Sequence, residues 1–218
     1  MKSNYDAVLF DLDGTLTASH PGVIRCVTEA LHDLGQPIPP DEILKKFIGP
    51  PLQSSFSKYC GLNEEQCHLA VNAFRKRYNS QGVFENTVFP GILELLIDLR
   101  ESGAKVITAT SKPQTTAEIV LSHFNLLEKM DFVSGAFLDE RPHKKADLIQ
   151  KALDQFDISP ENAVMIGDTK FDIIGASSVG TDFIGVLFGY GTQEEMQDEG
   201  AVKFANTVEE LRTFLLTE

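Results

Sequence analysis

A chain of 218 residues, 42% of them hydrophobic and 23% charged, has room for one large domain or two small ones. Its composition is that of a globular protein rather than a disordered one. A formal net charge of −13 argues against nucleic acid or an anionic membrane surface as the partner. Cys26, Cys60 and Cys67 form no CxxC pair and leave one cysteine over, which suits a reducing compartment and buried structural thiols. The opening residues lack the layout of a signal peptide and no apolar run approaches membrane-spanning length, so the expected location is cytoplasmic. The acidity is uneven. Residues 19–85 carry seven basic and seven acidic side chains, leaving the whole negative excess to the rest.

In chain order, Ala7-Val8-Leu9-Phe10 is a short apolar run predicted as a buried strand. It stops at Asp11 and Asp13, and extended geometry would point both carboxylates to one side, with Gly14 letting the backbone turn beneath them. A helical stretch follows. Val23, Ile24, Val27, Ala30, Leu31 and Leu34 recur at helical spacing; Asp41 can cap a helix carrying Ile43, Leu44, Phe47 and Ile48; Leu52, Phe56 and Tyr59 mark a third. Asn63 with Gln66 has the form of a capping box opening a fourth, through Cys67, Ala70, Val71, Phe74 and Tyr78. Four helices without a strand predict a small bundle, too long for a loop, inserted as its own domain over residues 18–85.

From Phe89 the pattern alternates. Helices are predicted from Pro90-Gly91 to Gly103, from Gln114 to His123, from Lys145 to Phe156, from Asp172 to Val179 and from Val208 to Leu216. Between them come strands at Lys105–Thr110, Asp131–Val133, Ala163–Ile166, Phe183–Leu187 and near Val202–Phe204. Such alternation implies an α/β fold, a doubly wound parallel sheet formed by residues 1–17 and 86–218.

In doubly wound sheets, ligands bind past the carboxyl ends of the strands. The polar residues there are Asp11 and Asp13; Thr110, Ser111 and Lys112; and Gly167, Asp168 and Asp172, with Lys144 and Lys145 opening the helix before that last strand. Each has an ordinary structural reading. Thr110-Ser111 or Asp168 could cap a following helix, Asp172 could serve the dipole of a first turn, and the lysines could be solvated. Together, four acids, a hydroxyl and a lysine at one sheet end call for a hard divalent cation such as Mg²⁺, which takes oxygen ligands. The hydroxyl and the ammonium suit a phosphoryl group, and a carboxylate facing the phosphorus can act as nucleophile. The chemistry is phosphoryl transfer.

DLDGTLT at Asp11–Thr17, Thr110 followed by SKP, Lys145 opening a helix, and GDTKFD at Gly167–Asp172 resemble the four signatures of the haloacid dehalogenase-like hydrolases. PGILELL, IGPP at Ile48–Pro51 and VLFGYGTQEEM resemble the phosphoglycolate-phosphatase-like branch, some relatives of which act on nucleotides. The resemblance spans essentially the whole chain. It implies a Rossmann-like core with a helical cap, acting on a small phosphorylated metabolite as a monomer or weak homodimer. It implies Asp11 as nucleophile and Asp13 as acid and then base. Thr110 and Lys145 would hold the phosphoryl group, with Lys144 and Lys112 as alternatives to Lys145. Mg²⁺ would be bound by Asp11, Asp168 and the backbone carbonyl of Asp13, with Asp172 in support. Ser111 and Gly14 are further candidates around the phosphate. Asp13 argues for a phosphatase or mutase over a dehalogenase, because a departing halide needs no proton. One departure is TASHP after the first signature, where many relatives carry an acid.

The insertion is expected to act as a lid, hinged at Thr17–Pro21 and Gln81–Val88 with Gly82 as the flexible point. Arg25 and Arg75-Lys76-Arg77 are candidates for the rest of the substrate, the run being more simply a solvated helix face. Two other readings compete with the phosphatase: a phosphosugar mutase on the same scaffold, and a receiver-like module holding a phospho-aspartate.

Overall fold

The computed structural model describes residues 1–136 and 144–217. The chain forms two compact units, one of residues Ser19–Thr87 and one of the chain on either side of it.

The larger unit is built on a six-stranded parallel sheet. Its strands are β2 (Ala7–Phe10), β3 (Lys105–Pro113), β4 (Phe132–Ala136), β5 (Ala163–Gly167), β6 (Asp182–Val186) and β7 (Phe204–Ala205), in the order β4-β3-β2-β5-β6-β7. Two-residue strands β1 (Lys2–Ser3) and β8 (Leu216–Thr217) pair antiparallel and bring the two ends of the chain together. The α/β expectation holds. From β2 the chain moves outward to β3 and β4, then returns to the other side of β2 for β5 and β6, so the direction reverses between β2 and β5. That reversal opens a crevice beyond Phe10 and Ile166, which are paired in register.

Helices α5 (Ile92–Glu101), α6 (Gln114–His123), α7 (Lys145–Asp154), α8 (Lys170–Val179), α9 (Gln193–Asp198) and α10 (Val208–Leu215) make the crossovers and close the unit. Ala7, Leu9, Ile107, Ala109 and Met165 on one face of the sheet pack against Ile149, Ala152, Leu153 and Ala176 of α7 and α8. Alternate strand residues are buried on both faces, which is why these strands read as unbroken apolar runs. Some elements differ from expectation, the two-residue strands β1 and β8 among them. β3 runs three residues beyond Thr110, and α9 carries no apolar period because only Met196 of its six residues is buried.

The helical unit holds α1 (His20–Asp33), α2 (Asp41–Leu44), α3 (Leu52–Cys60) and α4 (Glu64–Ser80), with short 3-10 turns at Lys45–Phe47 and Gly82–Phe84. Asn63 and Gln66 do form the capping box that opens α4. The passages between units are shorter than the sequence suggests, because His20 and Pro21 already belong to α1 and Gly22 N–H donates to Glu85 O at 3.0 Å. Gly82 is a close-packing position rather than a flexible point: a Cβ there would stand 2.5 Å from Cys26 Sγ and 2.9 Å from Tyr78.

The three cysteines are free, with Cys26 and Cys67 buried, and burial raises the thiol pKa of all three. Arg77 leaves the solvated face expected for its run. Its guanidinium donates to Cys26 Sγ at 3.0 Å and Glu85 Oε1 at 3.0 Å, and pairs with Glu29. Hydrogen bonding from Arg77 holds the Glu85 carboxyl below the usual carboxylate range. Arg77→Met is therefore expected to destabilise the chain by about 1–3 kcal/mol, the range for hydrogen bonds to charged partners. A carboxyl with a depressed pKa contributes its stability above its unfolded pKa, so the deficit should shrink as acid protonates Glu85. Urea unfolding of parent and variant at neutral pH and at pH ~3 checks this.

Candidate active site

Beyond Phe10 the chain makes a tight turn. The N–H groups of Leu16 and Thr17 both donate to Leu12 O, at 3.0 and 2.9 Å, while Leu12 and Leu16 are fully buried anchors. Asp11 N–H donates to Ile166 O at 2.9 Å, extending the β2–β5 pairing by one residue and carrying Asp11 to the mouth of the crevice. Asp168 follows β5 directly, and Asp172 lies in the first turn of α8. One carboxylate oxygen each from Asp11, Asp168 and Asp172 lies within 4.8 Å of the others.

Lys145 ties this group together. Its Nζ is 2.9 Å from Asp11 Oδ1 and 2.7 Å from Asp172 Oδ1, and it donates to Ala109 O at 3.1 Å. Lys144, the alternative, is exposed at the N-cap of α7, where its N–H donates to Asp147 Oδ2 at 3.3 Å. Burial alone would lower the Lys145 pKa, but Asp11 and Asp172 outweigh it and hold the ammonium charged. Burial, with Asp172 and Asp13 adding repulsion, pushes Asp11 up to about 6 against the pull of Lys145. Burial raises Asp168 well above the usual carboxylate range, reinforced by Asp172 and Asp11 and opposed by the Tyr190 N–H.

Fixed dipoles position the acids. Asp168 accepts from Thr15 Oγ1 at 3.3 Å and from Tyr190 N–H at 2.8 Å. Asp172 Oδ2 accepts from Thr169 N–H at 3.0 Å and Thr169 Oγ1 at 2.8 Å, in a capping box at the start of α8. Thr169, not Asp168, is therefore the cap, which leaves Asp168 for the site. Glycines give the acids room. A Cβ on Gly14 would stand 2.1 Å from Asp168 Oδ2, one on Gly189 2.5 Å from the same oxygen, and one on Gly191 2.0 Å from Asp168 O. Gly189→Ala is expected to displace Asp168, so that a Mg²⁺ ion held there would bind about 10- to 100-fold more weakly, the cost of disturbing ligand orientation. Titrating Mg²⁺ by calorimetry against parent and variant measures it.

Asp13 stands apart from the other three carboxylates. Its Oδ2 pairs with Lys112 Nζ at 2.9 Å, and its Oδ1 is buried without a hydrogen-bond partner among the described residues. Thr110 is buried, its Oγ1 accepting from Lys112 N–H at 3.2 Å, and Ser111 beside it is exposed. Arg25 belongs to the helical unit, where it pairs with Glu85 Oε1 at 3.0 Å. Thr15, Tyr190, Gly189 and Gly191 were not among the expected site residues. The Thr169–Asp172 spacing is itself a legible capping-box signal. The three oxygen donors of Asp11, Asp168 and Asp172, each with acceptor capacity left over, fit a hard divalent cation such as Mg²⁺.

The model of the haloacid dehalogenase-like hydrolase family matches residues 8–186. The chain is a haloacid dehalogenase-like hydrolase. This hydrolase is 38% identical over 211 residues to the 5'-nucleotidase of Pseudomonas aeruginosa, covering 97% of this chain and 96% of that one. It is 36% identical over 210 residues to the tyrosine-protein kinase PtkA of Mycobacterium tuberculosis, covering 95% of this chain and 72% of that one. Among solved structures, a haloacid dehalogenase-like family hydrolase of Streptococcus pneumoniae superimposes with a TM-score of 0.91 at 34% identity, over 97% of this chain and 98% of that one. Among the described residues no helix is long and apolar enough to cross a membrane.

Proposed function

We propose that this hydrolase is a Mg²⁺-dependent phosphomonoesterase that works through an aspartyl phosphate on Asp11. Its substrate would be a small phosphorylated metabolite of the nucleotide or phosphoglycolate class. The observation that carries the reading is the convergence of Asp11, Asp168 and Asp172 around Lys145, with Asp13 Oδ1 buried and without a hydrogen-bond partner among the described residues. The 5'-nucleotidase similarity supports a nucleoside monophosphate as the first substrate to try.

In this mechanism an Asp11 oxygen attacks phosphorus, the bond to the leaving oxygen breaks, and Asp13 supplies the proton that oxygen needs. Water then attacks the same phosphorus and gives its proton to Asp13. The bond to Asp11 breaks, releasing inorganic phosphate and restoring the carboxylate. Lys145 and Thr110 hold the phosphoryl oxygens, and Lys145 keeps Asp11 aimed throughout. Asp11 and Asp168, with Asp172 behind, would hold a Mg²⁺ ion, whose charge would offset the acids and the phosphate. A helical lid that closes on substrate would protect the acyl phosphate from stray water.

The test is phosphate release from nucleoside monophosphates, phosphoglycolate and sugar phosphates, with Mg²⁺ or with EDTA. Release that requires Mg²⁺ supports the reading and ranks the substrates. No release from any of them, with transfer of phosphate from ATP to tyrosine instead, would move the chain toward the activity named for PtkA.

A further inference from the structure

Two lysines reach the carboxylates, and they have divided the work. Lys145 pairs with Asp11 and Asp172 and donates to Ala109 O. Lys112 arrives by a different route. β3 continues past Thr110 to Pro113, and its register against β4 shifts between those residues. An irregularity of this kind beside a site re-aims a side chain. Gly135 of β4 makes room for it, since a Cβ there would stand 2.5 Å from Gln114 Cα and 3.0 Å from Lys112 O. The Lys112 side chain is left only 8% exposed, with its ammonium 2.9 Å from Asp13 Oδ2. The two oxygens of Asp13 are thereby made unlike. Oδ2 is anchored, and Oδ1 is buried with no hydrogen-bond partner among the described residues.

We infer that Lys112 is a positioning residue that pins Asp13 through Oδ2 and presents Oδ1 as the oxygen that exchanges protons with the leaving group and with water. This rests on the acid and base role of Asp13 proposed above. A general acid must lie within hydrogen-bond reach of the leaving oxygen and in line with it. A free carboxyl would turn about its last bond, and the negative charge of Asp11 would drive it away. Lys112 removes that rotation and opposes that repulsion.

The experiment measures kcat/KM across phosphate monoesters whose leaving groups run from nitrophenol to simple alcohols, because kcat/KM covers the steps through leaving-group departure. Nitrophenolate leaves without a proton, whereas an alkoxide needs one. In Lys112→Met, kcat/KM for alkyl phosphates should fall by about 100-fold or more, the scale of general acid catalysis, while nitrophenyl phosphate stays within about threefold. Lys112→Arg should recover most of the alkyl rate. The retained nitrophenyl rate also certifies a folded site. If Lys112→Met does not fold, Lys112→Gln is judged by the same ratio. An equal fall for both leaving groups, or no fall for either, overturns the inference. Asp13→Asn, run alongside, separates the two failures. If it leaves the leaving-group dependence unchanged, the assignment of Asp13 as acid is wrong and Lys112 falls with it. If it steepens that dependence and the Lys112 variants do not, only the inference about Lys112 is lost.

Discussion

Asp11→Asn should abolish turnover while leaving the metal-free protein as stable as the parent, or more so. Loss of a covalent nucleophile costs about 10⁴-fold in rate or more. Asparagine keeps the size of Asp11, so the turn after β2 and the Leu12 and Leu16 anchors should be undisturbed. The stability side follows from the charge. Burial and the neighbouring acids push the folded Asp11 up to about 6, against 3.8 for a free aspartate carboxyl. Between those two values the unfolded chain has already lost the proton that the folded chain retains. Stability therefore falls as pH rises from about 4 to about 6 and stays low above that. Asparagine carries no such penalty. Melting curves of parent and variant in EDTA, from pH 4 to pH 8, should converge at the acid end and separate toward neutrality, the variant melting higher. A variant that melts well below the parent at pH 8 would mean that Asp11 is chiefly a structural partner of Lys145. Phosphate release above about one part in 10⁴ would remove Asp11 as the nucleophile.

Lys145→Met should be the most destabilising single change at the site. Methionine nearly matches the length of the lysine stem, which passes close to Gly175, so packing is largely kept while the charge is lost. What remains is Asp11 and Asp172 without their shared cation, and Ala109 O without its donor. Removing one partner of a buried ion pair typically costs about 3–5 kcal/mol, which for a domain of this size is a melting shift of roughly 10 °C. The deficit should narrow as pH falls, because protonated carboxyls no longer need the ammonium. Mg²⁺ should raise the melting temperature of the variant more than that of the parent, since a divalent ion can offset the same charges. Catalysis should still be lost if Lys145 holds the phosphoryl oxygens as proposed, because methionine offers them no donor. A Lys145→Met protein that melts with the parent in EDTA at neutral pH would contradict the tripod geometry.

The elements and the strand ends were legible from residues alone, because both signals are local. Buried parallel strands are apolar on both faces and so announce themselves as short runs, and the helices carry a 3.6-residue period. The acid that follows each such run is then placed by the general behaviour of doubly wound sheets. Where no local signal exists, the sequence announces no element. The two-residue strands β1 and β8 have no period, and α9 has a single buried side chain.

The sequence by itself thus determined the α/β order of the core, and it marked Asp11, Asp13, Asp168 and Lys145 as candidates at one end of the sheet. Only the tertiary structure decided which lysine serves which acid. Lys112, Lys144 and Lys145 look alike in sequence. The irregular end of β3 turns the first toward Asp13, the N-cap leaves the second in solvent, and the packing of α7 buries the third among carboxylates. Tertiary structure also gave Gly189 and Gly191 their purpose, since the backbone they bring against Asp168 lies more than twenty positions along the chain. Partners set by distance in space leave no period and no cap in the sequence around them.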